Sequence, residues 1–126
     1  MQKRLLFQQL TILCVLWLVQ LFATYMFART DNNMFFSPLH VLGGMWAASF
    51  GAWAFGFVGK HLSFAGYLLT ALAFGVAWEL FEAVAHLVSP GALSYAVDTT
   101  TDLMFDVLGG YFVALVARKF MAQKIT

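Results

Sequence analysis

Charge is what this chain has least of. Only 10% of its 126 residues are Asp, Glu, Lys or Arg, where an average soluble domain carries about 25%. A soluble fold needs a polar surface, and this composition cannot supply one. At 62% hydrophobic, with a mean hydropathy of +0.80, it is the composition of a membrane protein. The 7 basic residues form no patch and are not interleaved with aromatics, which excludes a nucleic-acid platform. Cys14 stands alone, so no internal disulfide exists. Lying in an apolar run, it is expected to be a buried structural thiol rather than a reactive one. The two prolines, Pro38 and Pro90, sit at the margins of apolar runs and interrupt none. The length suits one domain.

What the chain does have is apolar runs of bilayer length. They cover residues 5–28, 36–58, 64–88 and 96–117, each near or above the ~20 residues that cross a membrane as a helix. The polar stretches between them are Arg29 to Asn33, Gly59 to Ser63, where His61 is expected to be wetted, and Ser89 to Tyr95. The first run follows Lys3 and Arg4. It is too long for a signal-peptide core and lacks a small-x-small cleavage pattern, so a retained helix is expected. Gln20 and Thr24 share a face there and are expected to look toward other helices. In the second run Pro38 falls in the first turn, and Gly43, Gly44, Ala47, Ala48 and Gly51 recur at helical spacing. Small residues so placed let two backbones approach. The expected fold is an all-α, four-helix transmembrane bundle forming a single domain.

Lys3, Arg4, Lys60, Arg118, Lys119 and Lys124 then fall on one side, and Arg29 on the other. The positive-inside rule places both termini in the cytoplasm. With that orientation the rare polar groups inside the spans gather at one level. At 1.5 Å per residue, His40 lies about 6 Å below the outer boundary, Glu79 about 13 Å, Glu82 about 9 Å and His86 about 3 Å. Asp98, Asp102 and Asp106 lie at about 3, 9 and 15 Å. The three aspartates recur every four residues, which keeps them on one slowly drifting helical stripe. Glu79, Glu82 and His86 share a face by offsets of three and four.

Such groups at membrane depth are costly and mark function. Five carboxylates and two imidazoles cannot all be charged together without compensation. A divalent metal supplies it: Mg²⁺, Mn²⁺ or Ca²⁺ by the acidic oxygens, Zn²⁺ or Fe²⁺ by the imidazoles. Carboxylates and histidines facing one another across a helical bundle are an established way to hold metals. The expected ligands are Glu82, His86, Asp98, Asp102 and Asp106, with His40 and Glu79 as catalytic bases. The chemistry expected is metal-dependent hydrolysis or transfer on an envelope lipid or lipid-linked substrate.

Three blander readings stand beside it. Without a metal the same groups would relay protons or cations, which in so small a chain requires a homo-oligomer. The chain could instead be a structural or accessory subunit whose polar groups lock helix register. Asp98 is an equally good N-cap for the fourth helix, with Thr99 to Thr101 in support, and Glu79 could simply pair with Gln20 or Thr24. Trp17, Trp46, Trp53 and Trp78 read as packing or lipid-facing aromatics, and Gly109–Gly110 as a close helix approach.

His40, then Trp78–Glu79 with Glu82, then Asp98–Thr99, Asp102, Asp106 and Gly109 form a pattern over residues 37 to 117. It resembles the VanZ-like membrane proteins and, more closely, the YjdF-type bacterial inner-membrane proteins. The acid that commonly stands a turn before the histidine in such families is missing here, where the chain reads Phe36–Ser37–Pro38. The resemblance implies a multi-pass protein of the bacterial inner membrane and cell envelope, and supports the site without supplying a substrate.

Overall fold

A computed structural model describes residues 2–27, 37–85 and 92–122. These form four helices: α1 (Gln2–Phe27), α2 (Ser37–Phe57), α3 (Phe64–Val84) and α4 (Ala92–Ala122). No strand occurs among the described residues. Three windows are long and apolar enough to span a membrane: Lys3–Phe22, Phe64–Val84 and Tyr95–Phe120. Helix α2 falls short on composition because glycine, tryptophan, Pro38 and His40 dilute its hydropathy, yet its 21 residues carry no charge other than what His40 can take up. It packs against α1, α3 and α4 alike. A helix enclosed by three others needs small residues more than greasy ones.

The α2–α3 turn is built locally. Gly59 adopts φ +69°, a left-handed value at which only glycine is free of Cβ strain. Ser63 caps α3, its Oγ accepting a hydrogen bond from the Gly66 amide at 3.1 Å.

The seam between α2 and α4 is set by glycine. A Cβ on Gly44 would run into the backbone of Asp106, and one on Gly109 would meet the backbone of Val41, Gly44 and Met45. Gly110 does the same toward α3, with Ala71 Cβ only 2.7 Å from where its own Cβ would stand. The expected close approach at Gly109–Gly110 is therefore real, and it ties α4 to both neighbours. Further along, Ala48, Tyr67 and Ala114 form the buried core. Lipid is as apolar as leucine, so burial drives little here and contact between close-set backbones holds the bundle. On the α2–α3 side, Trp46, Phe50, Trp53 and Phe74 pack with ring centroids 5.5–5.7 Å apart, Trp46 stacked on Phe50 and Phe74 set edge-on to both. Trp17 and Trp78 face outward, as expected.

Several expectations change. Helix α4 begins at Ala92, so Ala92 to Tyr95 belong to it rather than to the preceding loop, and Asp98 lies past its first turn. Asp98 is therefore not an N-cap. Cys14 is exposed, not buried, because α1 packs chiefly on α2 and shows most of its surface to the bilayer. Among the described residues the hydrogen bond of Gln20 stays within α1, its Nε2 donating to Thr24 Oγ1 at 3.3 Å. The polar residue that α1 does bury is Gln9, at 5% exposure.

Candidate functional site

Three helices each contribute one polar stripe. On α4 the stripe is Thr99, Asp102 and Asp106, at offsets of three and four that keep them on one face. On α3 it is Gly75 and Glu79, one turn apart, and on α2 it is His40 with Gly43 and Gly44. Because α2 and α3 both pack on α4, the three stripes converge.

His40 is the hinge of the arrangement. Its Nε2 lies 3.4 Å from Asp102 Oδ2, and its Nδ1 lies 3.4 Å from Asp106 Oδ2. One imidazole thus stands between two carboxylates one helical turn apart. The side chains of His40, Asp102 and Asp106 are 12%, 13% and 7% exposed, so little solvent reaches them. With the proton on Nδ1 donated to Asp106, Nε2 is an acceptor facing the acceptor oxygen of Asp102, an arrangement that needs a proton or a cation between the two.

Asp106 is buried because Gly75 makes room for it, while Gly43 lies at ordinary contact distance. A Cβ on Gly43 would sit 3.6 Å from its Oδ1, and a Cβ on Gly75 would overlap its Oδ2. The carboxylate is accordingly flanked by α2 and α3 at residues with no side chain.

Glu79 is 6% exposed. Its Oε2 accepts a 2.6 Å hydrogen bond from Thr99 Oγ1, which anchors α3 to α4. Its Oε1 is buried with no partner. An orphaned carboxylate oxygen at this depth costs free energy unless a proton or cation meets it. One ligand atom each from His40, Glu79 and Asp102 lie within 4.8 Å of one another, close enough to hold a single metal ion.

The seven residues singled out from the sequence thus divide. His40, Glu79, Asp102 and Asp106 come together. Glu82, a turn further along α3, is partly buried and outside the ligand group, and Asp98 is exposed. His86 lies outside the described residues. Glu79 pairs with Thr99, not with Gln20 or Thr24. Thr99 is the site residue that sequence reasoning missed. Its signal is its position three residues before Asp102, on the acidic stripe. Thr100 and Thr101 are different: their hydroxyls bond back to the carbonyls of Ala96 and Val97.

Four helices, three of them apolar enough to span a bilayer, around a cluster of buried carboxylates and an imidazole define a helical membrane protein with an intramembrane polar site. The chain belongs to the family described as "Predicted membrane protein (DUF2238)", whose model matches residues 4–123. No curated protein and no solved structure matches it.

Proposed function

We propose that this protein binds one divalent transition-metal ion through His40, Glu79 and Asp102, with Asp106 orienting His40 from behind, and uses it for hydrolysis or transfer on an envelope lipid or lipid-linked substrate. The observation that carries the reading is the buried, partnerless Oε1 of Glu79 in a cluster whose ligand atoms lie within 4.8 Å. Two ligands about 2.1 Å from one tetrahedral ion stand about 3.4 Å apart, and His40 Nε2 and Asp102 Oδ2 are 3.4 Å apart. An imidazole among the donors favours Zn²⁺ or Fe²⁺ over Ca²⁺, Mg²⁺ or Mn²⁺, which suit all-oxygen sites. A carboxylate bonded to the far nitrogen of a ligating histidine is the usual support for such a ligand.

Such an ion polarises a phosphoryl or ester carbonyl oxygen and acidifies bound water. A carboxylate of the cluster would then carry the proton released by the attacking water to the leaving oxygen of the ester. The positive-inside distribution of Lys and Arg supports cytoplasmic termini, and with them a site in the outer half of a bacterial inner membrane. The likeness to VanZ-like proteins fits an envelope role.

A second reading draws on the ladder Asp102–His40–Asp106, which could pass a proton inward. Against conduction through one chain stands the seam beyond Asp106, where Gly44 and Gly109 bring backbones into contact and Ala48 and Ala114 are buried. Metal analysis of the detergent-purified protein after Zn²⁺ or Fe²⁺ loading separates the two. One ion per chain, lost in Asp102→Asn and His40→Gln, supports the metal centre. No ion in the native protein leaves the relay.

A further inference from the structure

Two carboxylates stand outside the ligand cluster without a role in it, Glu82 on α3 and Asp98 on α4. The hydrogen bond between Thr99 and Glu79 sets the register of these two helices. From that bond α3 runs on to Glu82, and α4, which returns alongside it, runs back to Asp98. Both acids therefore lie toward the end of the bundle away from the α2–α3 turn, about 5 Å beyond Glu79 and about 6 Å beyond Asp102. Asp98 is within charge–charge reach of Glu82 and of Asp102, and Glu82 is within reach of Glu79 and His40. Exposure falls along the same line: Asp98 is exposed, Glu82 half-buried, Asp102 largely buried and Glu79 buried.

The opposite direction is closed. Past Asp106 the backbones of α2 and α4 touch at Gly44 and Gly109, and Ala48 and Ala114 are buried beyond them. Between α3 and α4, Leu103 comes within 3.0 Å of the Gly75 Cβ position, an apolar barrier to a hydrated ion. Every Lys and Arg among the described residues stands far from the two acids: Lys3 and Arg4 open α1, Lys60 lies in the α2–α3 turn, and Arg118 and Lys119 close α4. The ion pairs among the described residues are those of His40 with Asp102 and Asp106, so neither Glu82 nor Asp98 is neutralised there by a basic partner. What distinguishes these acids from an ordinary solvated pair is where they lead. One turn below Glu82 is the Oε1 of Glu79, buried and without a partner.

We infer that Glu82 and Asp98 form an acidic mouth that draws a hydrated divalent cation toward the buried oxygen of Glu79 and turns anions away, setting how fast the site fills rather than how tightly it holds. The identity of the cation rests on the metal reading above; the mouth rests on register, exposure and charge. Charges of one sign lining an approach with low-dielectric walls concentrate the counter-ion and raise its association rate by about 10–10³-fold, an effect that salt screens. A charge at the rim thus governs capture and its salt dependence, whereas a ligand in the first contact governs release.

The test uses full-length protein in a neutral detergent, with Zn²⁺ capture followed by rapid mixing and Zn²⁺ release followed in excess chelator. The double variant Glu82→Gln with Asp98→Asn, folded by circular dichroism and size exclusion, captures Zn²⁺ about tenfold more slowly at low salt, and the gap closes at high salt. Its release rate and its one ion per chain stay native. Unchanged capture overturns the mouth; faster release with lost stoichiometry overturns it too, by making one of the two residues a ligand. A second measurement needs no metal. In Cys14→Ala, the thiol introduced by Asp98→Cys is modified with a cationic and an anionic methanethiosulfonate, each rate taken relative to a free thiol in solution. The cationic reagent is preferred, and adding Glu82→Gln lowers the preference at least threefold. Equal rates, or no modification by either reagent, overturn the mouth while Zn²⁺ binding, if present, leaves the metal centre standing. If the native protein binds no Zn²⁺ but the preference holds and depends on Glu82, the mouth stands and the metal reading falls.

Discussion

Glycine serves two opposite purposes along the surface of α4. At Gly44 and Gly109 the missing Cβ lets α2 and α4 touch backbone to backbone, and nothing else fits between them. At Gly75 the missing Cβ leaves a hollow, and the Asp106 carboxylate fills it. The first arrangement excludes everything, which suits a bundle that lipid does not press together. The second admits a charged group where solvent does not reach, which suits a site. The same residue type holds the fold at one position and houses the chemistry at the next, and what it faces decides which.

The sharpest way to break that contrast is a methyl group on each kind of glycine. In Gly44→Ala the new Cβ meets main chain, which cannot rotate away. Overpacking of this sort costs about 1–3 kcal/mol or more, so thermal unfolding in detergent should show the largest loss of stability of any substitution discussed here, with metal binding lost as a consequence. An unchanged unfolding temperature would mean that the seam is not set by backbone contact. In Gly75→Ala the new Cβ meets the ends of the Asp106 and Leu103 side chains, which can move. Here stability should fall less than in Gly44→Ala, while metal affinity falls because Asp106 is pushed off His40.

Within the site the effects should descend with distance from the ion. His40→Gln and Asp102→Asn each remove a ligand and should abolish stoichiometric metal by elemental analysis. Asp106→Asn leaves the ligands in place but removes the carboxylate that steers His40; loss of such support weakens binding about 10–100-fold. Thr99→Val removes one hydrogen bond to Glu79, worth on the order of 1 kcal/mol, and should cost roughly fivefold in metal affinity at native stability. If Thr99→Val matched Asp102→Asn, Thr99 would be a ligand rather than a support. Because imidazole must be unprotonated to bind a metal, occupancy in the native protein should decline as the medium is acidified. A competition titration with a colorimetric chelator reads this directly.

Much of the fold was legible beforehand because a bilayer constrains a chain so tightly. Apolar runs of sufficient length must be helices, and the four runs became four helices. The small residues of the second run and the glycine pair of the fourth were recognisable as contact faces, and they are. The errors have a common origin. An apolar run does not say which of its residues meet another helix: Cys14 is exposed because α1 packs chiefly on α2, and Gln20 bonds Thr24 within α1. Asp98 was weighed as a cap because Thr99 to Thr101 follow it, but apolar Leu93 and small residues such as Ala92 and Ala96 carry the helix upstream. Thr99 was missed because its partner is 20 residues away on another helix, and no local spacing announces such a pair.

The sequence by itself determined the membrane class, the helical elements and the stripe of Asp98, Asp102 and Asp106, because hydropathy and the 3.6-residue period are properties of consecutive residues. Only the tertiary structure decided that His40 stands between Asp102 and Asp106, that Thr99 holds Glu79 while leaving Oε1 free, and that Glu82 and Asp98 fall outside the cluster. Those outcomes depend on how far and at what rotation the helices meet. That was fixed at positions 44, 75, 109 and 110, by side chains that are not there.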